Sequence, residues 1–206
     1  MILLDHTRIG DAWIAAMQTV VTHGHFTQDN DETLMESDPV IVTIGAPTEH
    51  DALTQKHEDP AMIDWMRRNF LDTSPVDGWG YSYGSRLLNF QGHNQFEAVI
   101  EKLRRRPSSK SATLVFALPP EDRSHVPCIT CFDLKYRDNQ LNGTAFFRSQ
   151  DAGKKFYADA LCLGELLRQI ASALEMETGF LNLYIASLHI YEKDLPRVHA
   201  ILDAER

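Results

Sequence analysis

Basic charge, cysteine and long apolar runs are all scarce in this chain of 206 residues. Its 20 Lys and Arg residues face 29 Asp and Glu residues, and the formal charge of −9 disfavours nucleic acid and anionic membrane surfaces as partners. No apolar run reaches the roughly 18 residues of a membrane span. Three cysteines are an odd number for a disulfide framework, and the first residues do not resemble a signal peptide, so we expect a cytoplasmic protein.

The composition that is present is typical of an ordinary globular chain. Hydrophobic residues make up 43% of the sequence and charged residues 24%, which provides enough apolar material for a buried core. We find no internal repeat and no low-complexity tract, and we therefore predict a single domain over residues 1–206. Two stretches with little periodicity, about residues 22–38 and 48–59, are interpreted as loops within that domain.

Apolar residues that recur at three- and four-residue steps predict amphipathic helices. The first covers Thr7 to His23, and Gly24 is expected to end it in a left-handed conformation. A long helix from Tyr157 to Met176 has a broad apolar face, and Gly179 is expected to close it. Three further helices are predicted over residues 62–70, 94–106 and 195–204.

Segments rich in β-branched or alternating residues predict strands over residues 40–44, 113–118, 128–137, 141–149 and 180–191. The third and fourth of these form a long antiparallel hairpin around a turn at Asp138-Asn139-Gln140. Because the helices do not alternate regularly with the strands, we predict an α+β fold in which a mixed β-sheet packs against long helices.

A cysteine follows a proline at the start of one predicted strand, in Val126-Pro127-Cys128-Ile129-Thr130-Cys131. By itself Cys128 has three interpretations: a small buried apolar residue, half of a redox pair with Cys131, or half of a zinc site. A zinc site needs further ligands, and Cys162 is the only other thiol of the chain. A redox pair is disfavoured because both thiols lie in a predicted strand rather than before a helix.

The order of several motifs is more informative than any one of them. The motifs are Tyr83-Gly84-x-Arg86, Pro127-Cys128, Arg148-Ser149-x-Asp151, Asp159 and His189-x-Tyr191. This order and spacing resemble those of the thymidylate synthases and the related pyrimidine-nucleotide hydroxymethylases, and the chain resembles their compact members. The resemblance is strongest from about Val126 to the C-terminus and weakest before Trp79.

The resemblance implies one-carbon transfer to C5 of a pyrimidine nucleotide, with 5,10-methylenetetrahydrofolate as co-substrate and without a metal. The C5 atom becomes nucleophilic only after a thiolate has added to C6, so we expect Cys128 to be the nucleophile. Arg148 is expected to stabilise that thiolate and to bind the nucleotide phosphate. The resemblance also implies that Tyr83 assists removal of the C5 proton.

The remaining roles follow from the same resemblance. Ser149 would donate a hydrogen bond to the phosphate, and Asp151 would bind the pterin of the folate. His189 and Tyr191 lie two positions apart on a predicted strand and therefore on one face, where they would bind the 3′-hydroxyl of the sugar. Members of the family complete each phosphate site with residues of a second subunit, so we expect a homodimer in which Lys110 is the donated residue.

Asp159 stands where thymidylate synthases have an asparagine that binds the base. An ionised carboxylate offers only acceptors, which suit the exocyclic amine of cytosine, and the family's cytidylate hydroxymethylases carry the same substitution. We therefore favour hydroxymethylation of a cytidine (deoxy)monophosphate. Two alternatives stay open: methylation of dUMP by a thymidylate synthase, and a non-catalytic, repurposed pyrimidine-binding protein on the same scaffold.

Other positions also depart from the family. Lys110 replaces a pair of arginines, and no arginine occurs between Arg8 and Arg67, so the phosphate site has few cations. Ile129 stands where a histidine often follows the catalytic cysteine. The family's general-base glutamate has no secure match, and Glu49 and Glu58 are the candidates upstream of Tyr83.

Overall fold

The computed structural model describes residues 1–47, 51–76, 79–119, 122 and 125–206. Its helices are α1 (Ile9–His23), α2 (Ala52–His57), α3 (Pro60–Leu71), α4 (Tyr83–Leu88), α5 (Gln95–Arg105), α6 (Phe156–Ala173) and α7 (Leu195–Ala204). Its strands are β1 (Ile2–His6), β2 (His25–Asp29), β3 (Glu32–Ser37), β4 (Val40–Ile44), β5 (Ala112–Val115), β6 (Ile129–Arg137), β7 (Gln140–Phe147), β8 (Gln150–Asp151), β9 (Glu177–Ile185) and β10 (Leu188–Tyr191). None of these helices is long and apolar enough to cross a bilayer.

The strands of the described residues form two mixed sheets. The larger sheet has the order β1-β4-β9-β7-β6-β5, and the smaller has the order β2-β3-β10-β8. Parallel pairs join β1 to β4, β7 to β9 and β8 to β10, while the remaining neighbours are antiparallel. Mixed sheets with helices packed against them confirm the predicted α+β fold.

The central hairpin of the larger sheet is confirmed. Strands β6 and β7 pair from Arg137 opposite Gln140 up to the start of β6. The two residues between them, Asp138 and Asn139, have φ values of 51° and 62°. A two-residue turn with both φ values positive matches the right-handed twist of the flanking strands, and Asp and Asn tolerate that conformation better than most residues.

Helices α1 and α6 supply much of the core against the inner face of the larger sheet. In α6 the apolar residues recur at helical spacing, and they are buried from Phe156 to Ala171 with few exceptions. Trp13 of α1 packs on Tyr157 with ring centroids 4.3 Å apart. Its indole N–H donates to the Ala152 carbonyl at 2.7 Å, which ties α1 to the chain just before α6.

Both stretches predicted as loops contain regular structure, so those predictions are wrong. Residues 22–38 contain β2 and β3, and residues 48–59 contain α2. Every residue of β2 is exposed, so the strand lacks the alternation that would reveal it and exists because it pairs with β3. Helix α2 is short and mostly polar, and it begins at an Asp51 cap.

The C-terminal region also differs from the prediction. The long helix ends at Ala173, where Glu175 adopts a φ of 56°, and Gly179 lies inside β9 instead of closing the helix. A Cβ at Gly179 would overlap the side-chain oxygen of Asn142, which explains a glycine within a strand. Residues 180–191 form two strands in different sheets, because the chain crosses between sheets after β9.

The end of α1 needs a different explanation from the predicted one. Gly24 is extended, with φ of −75° and ψ of 157°, so no left-handed residue ends this helix. A Cβ there would come too close to the Val20 carbonyl oxygen and to the Met35 side chain. The glycine is therefore required by the close approach of β3.

Candidate active site

Eight of the nine site residues predicted from the sequence line one cleft of about 870 Å³. The cleft lies where the two sheets meet, because the chain passes from β7 into β8 and β8 pairs in parallel with β10. Helix α4 and the start of α6 complete its walls. The eight residues are Tyr83, Cys128, Arg148, Ser149, Asp151, Asp159, His189 and Tyr191.

Cys128 lies beside two polar side chains from the end of the neighbouring strand. The Arg148 Nη2 atom is 4.0 Å from the Cys128 sulfur, and the Ser149 hydroxyl is 3.6 Å from it. The Arg148 guanidinium also donates to the backbone carbonyls of Val126 and Pro127, at 2.7 and 3.2 Å. One guanidinium therefore holds the segment before Cys128 in place and puts positive charge next to the sulfur.

Cys131 lies on the other face of the sheet. It stands opposite Phe146 in register, and Phe146 points away from the core. It does not line the cleft, and burial raises the pKa of its thiol. All three cysteines of the chain are free, so the structure contains no Cys128–Cys131 disulfide.

Tyr83 is placed at the cleft by the start of α4. Ser82 caps that helix reciprocally with Ser85, and the Tyr83 amide donates to the Asn69 side chain at 3.0 Å. Burial, together with the negative charges of Cys128 and Asp159, raises the pKa of Tyr83 well above its ordinary value. The phenol therefore keeps its proton at neutral pH and is available as a hydrogen-bond donor.

Asp159 is a buried carboxyl at the base of the cleft, with 3% of its surface exposed. Gln150 Nε2 donates to its Oδ2 atom at 3.0 Å, while Oδ1 is buried and has no hydrogen-bond partner among the described residues. Burial raises the pKa of Asp159 to about 7, although the Gln150 hydrogen bond and the charge of Lys155 oppose the rise. Near neutral pH this carboxyl is present in both protonated and ionised forms.

His189 and Tyr191 lie on one face of β10, with ring centroids 5.2 Å apart and planes at 83°. Their strand neighbours are fully buried on the opposite face, as the alternation predicts. His189 is in register with Asp151 of β8. The Asp151 carboxylate accepts hydrogen bonds from the amides of Gly153 and Lys154, at 2.9 and 3.2 Å, so it also holds the turn into α6.

Several residues that line the cleft were not predicted as site residues from the sequence. His125 stacks on Trp79 with ring centroids 4.3 Å apart, and burial followed by the charges of Arg148 and Lys155 lowers the pKa of His125. Lys155 lies 5.6 Å from the ring centroid of Trp79. The position of His125 shortly before Pro127-Cys128 could have indicated that it lies in the site. Nothing in the sequence indicated that Lys155 would lie against an aromatic ring.

The structure leaves two other predicted residues outside the cleft. Lys110 is exposed in the turn between α5 and β5 and does not line the cleft of its own chain. Glu58 lies in a separate surface depression with Asp64 and Arg67. Glu49 lies outside the described residues, and among the residues that the structure describes a different glutamate, Glu36 of β3, lines the cleft.

The described residues contain no group of three or more His, Cys, Asp or Glu side chains arranged to hold a metal ion. The charged side chains in the cleft instead include four cations and four carboxylates. The cations are Arg148, Lys154, Lys155 and Lys193, and the carboxylates are Asp29, Glu36, Asp151 and Asp159. Lys154 and Lys193 form ion pairs with Asp194 and Glu32, whereas the Arg148 guanidinium lies 4.0 Å from the Cys128 sulfur.

Comparison with known proteins identifies the family. The thymidylate synthase family model matches residues 54–206. A Methanosarcina mazei protein is 30% identical over 198 residues, which are 94% of this chain and 91% of its own length. A Methanopyrus kandleri protein is 34% identical over 193 residues, covering 91% of this chain and 92% of its own length.

A third relative, from Methanococcoides burtonii, is 27% identical over 204 residues, or 97% of this chain and 94% of its own length. All three carry the name "Putative thymidylate synthase". The matched region includes α4, the Cys128 segment and every other wall of the cleft except the β2–β3 hairpin. The chain therefore belongs to the thymidylate synthase family, as an enzyme of folate-dependent one-carbon transfer to C5 of a pyrimidine nucleotide.

Proposed function

We propose that this enzyme transfers the one-carbon unit of methylenetetrahydrofolate to C5 of a cytidine (deoxy)monophosphate and releases the hydroxymethyl product. The observation that carries the proposal is the position of a buried, protonatable carboxyl, Asp159, in the same cleft as the Cys128 sulfur. The folate supplies the one-carbon unit at the oxidation level of formaldehyde. The other steps depend on side chains of this chain.

The first step is addition of the Cys128 thiolate to C6 of the base. Arg148 and Ser149 lie within 4.0 Å of the sulfur and stabilise the thiolate before it reacts. Both side chains also face the cleft, so they bind the nucleotide phosphate from the same positions. The Cys128–C6 bond makes C5 nucleophilic, and the same bond breaks again when the product leaves.

Asp159 binds the base edge and assists this addition. In its protonated form it donates to N3 of cytosine and accepts from the exocyclic amine, which makes two hydrogen bonds. A proton delivered to N3 withdraws electron density from C6 and thereby favours attack by the thiolate. N3 of cytosine is a stronger base than O4 of uracil, so a carboxyl that titrates near neutral pH favours cytosine.

Tyr83 assists the loss of the C5 proton. Its phenol remains protonated because its pKa is raised, so it acts by orienting a water or another base through a hydrogen bond. The nearby His125 has a lowered pKa and is neutral at pH 7, and we propose it as the group that receives this proton. This scheme gives no role to a glutamate: Glu58 lies outside the cleft, and Glu36, which lines it, takes no part in these steps.

Binding of the sugar and of the folate uses the smaller sheet. His189 and Tyr191 form a T-shaped pair on the cleft side of β10, and we assign them to the 3′-hydroxyl of the sugar. Asp151 is buried beside them, and it offers a carboxylate to the donors of a pterin. The rings of Trp79 and His125 form an aromatic wall that suits a flat heterocycle.

We further propose that the enzyme is a homodimer in which Lys110 contributes to the phosphate site of the other subunit. Lys110 is exposed and does not line the cleft of its own chain, as a donated residue requires. The outer face of the larger sheet exposes apolar side chains that a second copy would cover. Three free cysteines support a reducing, cytoplasmic location.

Methylation of dUMP is the second candidate. It is favoured by the names of the relatives, and the protonated form of Asp159 is compatible with it. A protonated carboxyl can donate to O4 of uracil and accept from N3–H, so it also forms two hydrogen bonds with uracil, although O4 is a weaker acceptor of the proton than N3 of cytosine. The two reactions differ in whether water or hydride reaches the exocyclic methylene group on C5.

The decisive experiment incubates the enzyme with methylenetetrahydrofolate and each of dCMP, CMP, dUMP and UMP, and measures the mass of the nucleotide product. Gain of CH₂O on a cytidine nucleotide is the expected result. Gain of CH₂ on dUMP would instead establish the second candidate. If every nucleotide is recovered unchanged under conditions where a known thymidylate synthase is active, both candidates are wrong.

A further inference from the structure

Gln150 is buried beside Asp159 and has no role in the reaction as described above. It belongs to the short strand β8, and 2% of its surface is exposed. Its amide Nε2 donates to the Asp159 Oδ2 atom at 3.0 Å, across the turn that joins β8 to α6. The Gln150 backbone amide donates to the Ser187 carbonyl at 2.8 Å, which fixes the position of the strand.

The other oxygen of Asp159 is left without a partner. Its Oδ1 atom is buried and makes no hydrogen bond in the described part of the chain. A buried oxygen without a partner is costly, and both Gln150 and Asp159 line the cleft. A ligand that fills the cleft is therefore the natural partner for Oδ1.

We propose that Gln150 is a positioning residue that determines which base the enzyme accepts, by holding Asp159 Oδ2 as an acceptor so that Oδ1 carries the proton toward the ring. The inference rests on the proposed function, in which Asp159 binds the base edge. Gln150 itself touches neither the sulfur nor the reacting carbon.

The two oxygens of a carboxyl group are chemically equivalent until a neighbour distinguishes them. A free carboxyl can carry its proton on either oxygen, so it can present donor and acceptor in either order. Cytosine offers an acceptor at N3 and a donor at position 4, whereas uracil offers the reverse. An unrestrained Asp159 would therefore form two hydrogen bonds with either base in its protonated form.

Gln150 removes this symmetry. In the orientation of the Gln150 side chain in this structure, the N–H group donates to Oδ2 and requires a lone pair there. A proton on Oδ2 would require the Gln150 amide to turn over and present its oxygen instead. The proton of the neutral carboxyl is thereby confined to Oδ1, and only one order of donor and acceptor faces the base. A mismatch would leave two unpaired buried groups, which is how a hydrogen-bonding site rejects the wrong ring.

The other groups around Asp159 change how readily it ionises, but they do not determine which of its two oxygens carries the proton. Lys155, just before α6, favours the ionised form, and Asp151 of β8 opposes it. Tyr83 of α4 and Cys162, one turn further along α6, are uncharged at neutral pH because burial raises their pKa values. None of these four is a hydrogen-bond donor to Oδ1 in the described residues.

The test compares Gln150→Met, which removes the donor at similar length, with Gln150→Glu, which keeps the shape and replaces the donor with a second carboxyl. Gln169→Met is the matched control, because Gln169 lies on α6 and its amide donates to Glu165 away from the cleft. Circular dichroism and thermal unfolding first establish which variants fold. Gln150→Glu is nearly isosteric, so it provides the test if Gln150→Met does not fold.

The first measurement follows the Asp159 carboxyl by NMR in protein labelled with ¹³C at the aspartate carboxyl carbon, with the signal assigned by its loss in Asp159→Asn. The parent should titrate near pH 7. Removal of the donor should raise the midpoint by about one pH unit in Gln150→Met, and the control should not change. An unchanged midpoint in Gln150→Met means that the hydrogen bond does not act on Asp159, and it overturns the inference.

The second measurement is the ratio of dissociation constants for dCMP and dUMP at pH 6, where Asp159 is mostly protonated. We expect the parent to prefer dCMP, and Gln150→Met and Gln150→Glu to reduce that preference about tenfold. Tight binding with an unchanged ratio overturns the role of Gln150 and leaves the proposed function standing. A parent that binds neither nucleotide overturns the proposed function, and with it this inference.

Discussion

At the scale of single residues, the cleft depends on a few side chains whose surroundings differ from those of ordinary surface groups. Cys128 has a guanidinium and a hydroxyl within 4.0 Å of its sulfur. The buried Asp159 accepts a hydrogen bond from the Gln150 amide at Oδ2, while its Oδ1 atom has no hydrogen-bond partner among the described residues. These environments make both residues sensitive to small substitutions, and each therefore provides a test.

Replacement of Cys128 by serine should abolish turnover. Serine is nearly isosteric, so the fold should be retained, but a hydroxyl is a far weaker nucleophile toward C6 than a thiolate. We expect kcat to fall by at least about a thousandfold, measured as product mass per unit time. Cys131→Ser is the control, because Cys131 lies outside the cleft and should keep activity within about twofold. If Cys131→Ser loses activity and Cys128→Ser keeps it, the assignment of Cys128 as the nucleophile is wrong.

Ionisation of the buried Asp159 carboxyl should lower the free energy of unfolding as the pH rises. Its pKa is about 7 in the folded protein and 3.8 without burial, so the folded state binds more protons between these values. Ionisation across this window costs the folded state up to about 4 kcal/mol. The free energy of unfolding in urea should therefore change in favour of Asp159→Asn as the pH rises. Relative to the parent, the variant should gain about 2 kcal/mol or more from pH 5 to pH 8. Asp151 remains in both proteins, so most of its own pH dependence cancels in this difference, and its repulsion of an ionised Asp159 is part of the effect measured. Parallel pH profiles would contradict the raised pKa.

At the scale of elements, the position of Tyr83 depends on how closely α4 approaches the end of α3. A Cβ at Gly84 would overlap the backbone carbonyl oxygen of Asp72, which also accepts from the Ser82 hydroxyl at 2.6 Å. Gly84→Ala should push α4 away, destabilise the protein by about 1–3 kcal/mol and lower kcat through displacement of Tyr83. Chemical denaturation and product mass measure the two effects.

Gly45→Ala is the matched control for this substitution. A Cβ at Gly45 would meet its nearest neighbour, the Thr7 Cα atom, at 3.8 Å, which is ordinary contact. Its stability should change by less than about 1 kcal/mol, with kcat unaffected. Equal effects of the two alanines would mean that glycine flexibility, and not the close approach of α4 to Asp72, accounts for the loss.

At the scale of the whole molecule, one buried apolar cluster extends from α1 to α7, which supports our proposal that residues 1–206 form a single domain. The outer face of the larger sheet is less well covered. Phe146 and Tyr184 stack there at 5.2 Å, each with 40% of its surface exposed, and Phe180 and Val115 are exposed on the same sheet. This face is where we place the second subunit.

The dimer should separate when charge is introduced on this face. Sedimentation of the parent should report about twice the chain mass of 23.4 kDa, and Phe146→Glu combined with Tyr184→Glu should report the mass of one chain. Phe26→Glu, an equally large exposed site on β2 of the other sheet, should leave the dimer intact. A parent that sediments as a monomer at micromolar concentration would remove Lys110 from the phosphate site.

Elements with a strong local signal were predictable from the sequence. Helix α6 and the β6–β7 hairpin follow from apolar periodicity and from Asp138-Asn139, because local sterics and burial of one face favour the same conformation. Strand β2 was not predictable, since none of its residues is buried and its only support is the pairing with β3. The division of residues 180–191 between two sheets could not be predicted, because both strands contain buried apolar residues and the sequence does not show which sheet each one joins.

The sequence by itself determined the residue types of the cleft, their order and the family that this order resembles. Only the tertiary structure decided that Lys110 and Glu58 lie outside the cleft, that Gln150 and His125 lie within it, and that Asp159 holds its proton to about pH 7. The physical reason is that hydrogen bonds and desolvation depend on neighbours in space. Asp159 is surrounded by side chains from separate parts of the chain, such as Tyr83 of α4 and Gln150 of β8, and no local sequence pattern shows how closely they approach.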